Sequence, residues 1–272
     1  MIEKKIDDFD LMQICRSGQC FRMKEIGQEK YCMIAGNRYL EADQNGNKVK
    51  FYCNEEEFEE FWKNYFDLEQ DYAAYKKMIS PKDLYLSKAA EFGGGIRILN
   101  QDLWEMIVSF LISQQNNIGR IRKCIENICE EYGEKLISDT GKVFYGFPAP
   151  ETLAYLDEDE LKKCNLGYRS KYVVRTARMV VEGTVDLGKI RTMPYRKAKT
   201  ELLKLFGVGE KVADCICLFA LHDLQAFPVD THIRQALDAH YIKGFPKTRY
   251  KGCEGVMQQY IFYYELFGKK MQ

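Results

Sequence analysis

The sequence predicts an α+β protein: an N-terminal antiparallel β-sheet followed by a helical body. Three observations carry that expectation. Residues 1 to about 52 hold short, aromatic, roughly alternating runs, the period of half-buried strands. Gly93-Gly94-Gly95 then marks a joint. Beyond it, apolar residues recur at helical spacing. The expected domains are residues 1–92, a sheet with flanking helices, and residues 93–272, a helical unit.

FDLMQIC, QCFRMKEI, KYCMIAGNRYLEA and NKVKFYC are the expected strands. Asn45-Gly46 separates the last two and favours the positive φ of a tight hairpin. NEEEFEEFW follows, with aromatics at helical spacing and an acidic, solvated face that would repel phosphate. After the joint, NQDLWEMIVSFLIS opens with Asp102 and Glu105 at capping-box spacing. NNIGRIRKCIENICEEYG is amphipathic and closes at Gly133. PETLAYLDEDELKKC, YRSKYVVRTARMVVEG and YRKAKTELLKLFG read as further helices. There is no repeat and no low-complexity linker.

A chain of 272 residues, 46% apolar and 29% charged, is ordinary for a soluble globular protein with a proper core. A formal net charge of zero excludes a wholesale polybasic binder of nucleic acid but leaves room for a local basic groove. Apolar runs such as MIVSFLI are too short to span a bilayer, so no membrane association is expected. The start MIEKKIDDFD has no apolar signal region, which points to a cytoplasmic protein with reduced thiols. None of the ten cysteines has zinc or iron–sulfur spacing. They read as small buried hydrophobes, and no metal is expected.

The stretch LFGVGEKVADCICLFALHDLQAFPVDTH carries the chemistry. Gly207-Val208-Gly209 stops one helix and opens another, a helix–hairpin–helix. The glycines let the backbone turn tightly and approach a partner. The second helix begins with free N–H groups at its positive end, a place for a phosphate. Lys211 lies in that first turn, where a cation is electrostatically disfavoured. A neutral amine there is a nucleophile able to form a Schiff base. Asp230 is placed to cap the helix beginning at Thr231, and backbone N–H groups keep such a carboxylate ionised. A fixed anion beside an amine suits a reaction through an oxocarbenium-like sugar cation. Taken alone, these residues support a hairpin DNA binder, with a lysine-nucleophile enzyme as the sharper alternative.

The same stretch resembles the helix–hairpin–helix–Gly/Pro–Asp signature of base-excision DNA glycosylases. Within that superfamily it is similar to the 8-oxoguanine DNA glycosylase/AP lyases. SGQCFR (Ser17 to Arg22), FGGGIRILNQDLWEMIVSFLISQQNNIGRI and LGYRSKYVVRTA resemble further segments of that family in the same order. The resemblance implies a TATA-binding-protein-like N-terminal sheet and a helix–hairpin–helix body whose C-terminal helix completes the base pocket. It implies a monomer without cofactor, acting on duplex DNA that contains 8-oxoguanine and nucleoid-associated when bound.

Residue by residue, the resemblance puts Lys211 on the catalytic lysine, which attacks C1′, expels the base and nicks the strand by β-elimination. Asp230 falls on the aspartate that stabilises the sugar cation. Chemistry on a base requires flipping it from the stack, and Gln114, Gln115, Asn116 and Asn117 suit the wedge that fills the gap. 8-Oxoguanine carries a hydrogen on N7, where guanine has a lone pair. A backbone carbonyl at that point discriminates between them, and the resemblance assigns it to Gly18. Cys215 and an aromatic would sandwich the base while a glutamine reads its Watson–Crick edge. Gln258 and Phe262 match best, one helical turn apart; Gln259 and Tyr263 have the same spacing. Arg120, Tyr168 and Arg169 fall on the positions that face the orphaned cytosine. His232, with Gly207, Val208 and Gly209, falls on positions near the DNA phosphates. Phe206 departs from a common hairpin proline. Gln115 departs from the asparagine of relatives with strict cytosine preference, which leaves opposite-base selectivity open.

Three hypotheses compete. The first is a bifunctional 8-oxoguanine glycosylase/lyase. The second is a superfamily enzyme for alkylpurines, whose branch lacks the lysine, or for oxidised pyrimidines, whose branch usually carries four C-terminal cysteines that this chain lacks. The third is a non-enzymatic hairpin module, which needs neither Lys211 with Asp230 nor the SGQ segment.

Overall fold

The computed structural model describes residues 1–270. Five antiparallel strands form the N-terminal sheet: β1 (Ile2–Lys5), β2 (Met23–Gly27), β3 (Lys30–Ala35), β4 (Arg38–Asn45) and β5 (Lys48–Phe51). Their spatial order is β1-β5-β4-β3-β2. Asn45 pairs with Lys48 across the expected tight turn, where Gly46 has φ +59°. KYCMIAGNRYLEA is two strands rather than one, because Gly36 takes φ +57° and reverses the chain.

One expected strand is a helix. FDLMQIC forms α1 (Leu11–Arg16). Asp10 caps it by accepting from the Gln13 N–H at 2.9 Å, and the buried Leu11, Ile14 and Cys15 follow helical spacing. The edge strand it displaced from expectation is β1, which pairs with β5 from Ile2↔Phe51 to Lys5↔Lys48.

A helical run, α2 (Glu55–Glu57), a π-turn over Phe58–Trp62 and α3 (Lys63–Tyr65), lays Phe58, Trp62 and Phe66 on the sheet. Next come α4 (Tyr72–Lys77), α5 (Leu84–Phe92), α6 (Leu103–Ser113) and α7 (Ile118–Tyr132). After a small hairpin, β6 (Lys135–Ile137) and β7 (Val143–Tyr145), follow α8 (Pro150–Ala154), α9 (Arg169–Val181) and α10 (Leu187–Ile190). The body ends with α11 (Tyr195–Leu202), α12 (Glu210–Phe219), α13 (Thr231–His240) and α14 (Glu254–Phe267). The body was expected to be all helical; β6 and β7 break that pattern. Their alternating residues flank Asp139-Thr140-Gly141, with Gly141 at φ +75°.

The chain holds two cores. One fills the sheet and its covering helices; the other runs from α5 to α14. The glycine joint fastens them. A Cβ on Gly95 would lie 2.3 Å from the Asp10 Cβ, so only glycine admits this contact. Next to it, buried Arg97 donates to the carbonyls of Asp7, Asp8, Asp67 and Gln70. Four backbone acceptors around one guanidinium fix the N-terminal segment against the start of the body. The α6 cap is half a capping box. Asp102 accepts from the Glu105 N–H at 2.9 Å, but the buried Glu105 carboxylate pairs with Arg22 at 3.4 Å instead of reaching back.

Candidate active site

The hairpin sits between α11 and α12 as expected. Gly207 has φ +84°, and a Cβ there would lie 2.9 Å from the Tyr172 ring on α9. Both facts require glycine. Gln114 donates to the Gly207 carbonyl at 3.0 Å, and Thr176 donates to the Phe206 carbonyl at 3.0 Å. Phe206, in place of proline, packs edge-on against Tyr172 and beneath Arg175. The hairpin is therefore held by α9 and by the loop after α6. Gly209 caps α12 without a side-chain hydrogen bond, leaving the first N–H groups of that helix open to an anion.

Lys211 occupies the first turn of α12, half-buried, with its Nζ 5.4 Å from the Phe110 ring centre. Cys215 is one turn along, on the same face. Burial pushes the Cys215 thiol up to about 11, against the lowering pull of the neighbouring Lys211 amine. The thiol stays protonated and uncharged near neutrality. Asp214, also buried, faces the other way: it accepts from Tyr195 at 2.6 Å and pairs with Lys199 at 2.9 Å. That network joins the two helices of the hairpin behind Lys211.

Asp230 caps α13 by accepting from the Ile233 N–H at 2.8 Å. From α13 the Asp230 carboxylate slightly raises the Cys215 thiol, opposing the lowering by Lys211 from α12. His232 follows on the exposed side of α13, its ring centre 6.1 Å from that of Phe262.

The N-terminal half reaches the same place through Gly18, which follows α1 with φ +75°. A Cβ on Gly18 would lie 3.0 Å from Phe262 Cε1. Among the described residues nothing donates to the Gly18 carbonyl. The neighbouring Gln19 holds this turn in position. Fully buried, it donates to Ser17 Oγ and the Arg97 carbonyl, both at 2.9 Å, and accepts from the Leu99 N–H at 2.8 Å. Gln19 is not among the site residues expected from sequence, although a glutamine beside a turn glycine is an available signal.

Of the two glutamine–aromatic registers, Phe262 is the ring that touches Gly18 and faces His232. Tyr263 packs inward on Phe92 and Phe267. Gln258 is buried and donates to the Pro228 carbonyl, two residues before Asp230, at 3.1 Å.

The loop after α6 is built differently from expectation. Gln115 is exposed with φ +49° and accepts from Tyr168 at 3.4 Å. Arg120 and Tyr168 are exposed, the latter at 44%. Arg169, expected beside a base, is turned inward with 4% exposure. Its guanidinium donates to the Gln114 and Gln115 carbonyls at 2.8 and 2.9 Å. There it shapes the loop. Asn117 caps α7 by accepting from the Arg120 N–H at 3.0 Å, and Asn116 donates to the Ile112 carbonyl at 3.1 Å. A cap is the ordinary reason for an asparagine at a helix start. Among the described residues, no group of three or more His, Cys, Asp or Glu could hold a metal ion, and no helix is long and apolar enough to cross a membrane.

Residues 1–107 match the family "8-oxoguanine DNA glycosylase, N-terminal domain", and residues 108–251 match "HhH-GPD superfamily base excision DNA repair protein". The N-glycosylase/DNA lyase of Saccharomyces cerevisiae is 29% identical over 85% of this chain and 68% of its own length. A probable N-glycosylase/DNA lyase of Methanothermobacter thermautotrophicus is 30% identical over 72% of this chain and 71% of its own. Among solved structures, the Clostridium acetobutylicum 8-oxoguanine glycosylase/lyase, in complex with double-stranded DNA containing cytosine opposite 8-oxoguanine, is 38% identical with a TM-score of 0.91. That match covers 98% of each chain.

Proposed function

We infer the activity from one premise: this chain belongs to the HhH-GPD superfamily of base excision DNA repair proteins, in its 8-oxoguanine DNA glycosylase branch. It acts on duplex DNA, excises 8-oxoguanine and cleaves the strand at the abasic site that remains. Lys211, Asp230, Gly18, Cys215, Gln258 and Phe262 are the residues proposed to carry the reaction.

The hairpin binds first. The open N–H groups after Gly209 take a backbone phosphate, aided by the helix dipole. His232 and the exposed Arg120 and Tyr168 lie on the faces available to the strands. Gln115, Asn116 and Asn117 follow the vacated stack; all three side chains already have hydrogen bonds that shape the loop.

The flipped base enters between Cys215 and Phe262. A neutral thiol suits this contact, because a thiolate would repel the electron-rich face of an oxidised purine. The Gly18 carbonyl accepts from N7–H of 8-oxoguanine and repels the N7 lone pair of guanine. That carbonyl without a donor, on a glycine packed against Phe262, is the observation that carries the substrate assignment.

The Lys211 amine then attacks C1′. The C1′–N9 bond breaks, and its electron pair leaves with the base, which takes up a proton. Asp230, fixed in place by the N–H of Ile233, opposes the positive charge that develops on the sugar. The secondary amine on C1′ opens the sugar to a Schiff base. Loss of a C2′ proton expels the 3′ phosphate and nicks the strand. Water finally hydrolyses the imine and frees Lys211.

The test is incubation with duplexes carrying one 8-oxoguanine opposite each of the four bases, with strand scission read on a denaturing gel. Scission at the lesion is expected, and its loss in Lys211→Gln. No scission and no base release with the intact chain would overturn the proposal.

A further inference from the structure

Gln258 and Gln259 are both 3% exposed, and their amides are joined. The Pro228 carbonyl can only accept, so the Gln258 nitrogen must face it, at 3.1 Å. The Gln258 oxygen then points to Gln259, which must present its own nitrogen, at 3.0 Å. The chain of bonds ends on the Gln259 oxygen, which is buried with no partner. The whole arrangement follows from one fixed acceptor. Reversing Gln258 would set its oxygen against the Pro228 carbonyl, and reversing Gln259 alone would set two amide oxygens against each other. Reversing both would keep their shared bond but bury the Gln259 N–H groups without an acceptor, which costs more than the single orphaned oxygen, so Gln259 adds to the hold of Pro228. The orphaned Gln259 oxygen is the cost of keeping this orientation.

Each of these bonds uses one of the two sites on its atom. Gln258 retains one N–H and one oxygen lone pair. Such a side-by-side pair matches the O6 and N1–H of a 6-oxo purine. Turned over, it would match the amino group and N1 of a 6-amino purine. This distinction has to be made somewhere in the pocket. 8-Oxoadenine also carries a hydrogen on N7, so the Gly18 carbonyl accepts it as readily as it accepts 8-oxoguanine.

We propose that Gln259, acting with the Pro228 carbonyl, locks the amide of Gln258 in one orientation, and that this lock is what rejects 6-amino purines such as 8-oxoadenine. Gln259 is a positioning residue, and the inference rests on Gln258 reading the base edge. Single-turnover excision of 8-oxoguanine and of 8-oxoadenine, each opposite cytosine, gives a discrimination ratio. Gln259→Leu removes both the donor and the orphaned oxygen, so the fold is retained; Gln259→Met, of similar length, is the second variant. The ratio is expected to fall about two- to tenfold in either variant, the preference carried by one neutral hydrogen bond. A general loss of packing would slow both excisions together and leave the ratio alone. An unchanged ratio in both variants, or a wild-type ratio near unity, overturns the proposal. Gln258→Leu separates the two ways of failing. If it slows 8-oxoguanine excision while the Gln259 variants keep the ratio, only the lock is wrong. If it changes nothing, the reading of Gln258 is wrong as well.

Discussion

Replacing Gly18 by alanine should separate recognition of the base from cleavage of the strand. Its backbone has φ +75°, where a side chain costs about 1–2 kcal/mol. The new methyl would also stand 3.0 Å from Phe262 Cε1 and 3.4 Å from Cζ. Phe262 is only partly buried, so the ring can yield by a few tenths of an ångström at little cost to the fold. Stability should therefore fall by about 1–2 kcal/mol, a Tm change of about 2–4 °C for a chain of this size. Function should fall further, because the carbonyl at N7 and the ring against the base move together. We expect excision of 8-oxoguanine to slow by at least about tenfold under single-turnover conditions. Incision of a ready-made abasic site needs no base in the pocket and should slow by less than about threefold. Parallel time courses on the two duplexes, with thermal unfolding of the variant, measure all three quantities. Equal loss on both substrates would mean that Gly18 serves only the fold. No loss on either would remove its carbonyl from recognition.

Gly207→Ala should give the opposite pattern: φ +84° and a methyl 2.9 Å from the Tyr172 ring distort the hairpin, so affinity for lesion and abasic duplexes should weaken alike in a binding titration. Gln19→Leu leaves the Leu99 N–H and the Arg97 carbonyl unpaired in the interior and should cost about 2–4 kcal/mol in urea unfolding. The Cys215 thiol, raised by burial to about 11, should be only about one part in a thousand thiolate at pH 8. Its alkylation by iodoacetamide should rise about tenfold per pH unit toward that value; rapid labelling at pH 7 would show that burial does not hold the thiol neutral.

The hairpin and its two chemical residues were legible because their signals are local. Gly207 and Gly209 announce the turn, and Asp230 sits one residue before an apolar-periodic helix, where a cap belongs. Local signals also misled. FDLMQIC is as apolar as a strand, and only the Asp10 cap and the spacing of Leu11, Ile14 and Cys15 give it away as a helix. Asn117, which matches a DNA-contact position, also uses its side-chain oxygen at a helix start. What sequence could not supply was the meeting of distant segments. Gly18 and Phe262 touch only because Gln19 and Arg97 fasten the sheet to the body. The inward turn of Arg169 likewise depends on a loop that lies 54 and 55 residues away.

The central claim is that the Lys211 amine forms a covalent bond to the sugar. Borohydride reduction during turnover, on duplex DNA with one 8-oxoguanine opposite cytosine, tests it most directly. The account predicts a stable protein–DNA adduct with the intact chain, none with Lys211→Gln, and a mass-mapped linkage on the peptide containing Lys211. Excision of the base without an adduct, or an adduct that survives Lys211→Gln, would contradict it.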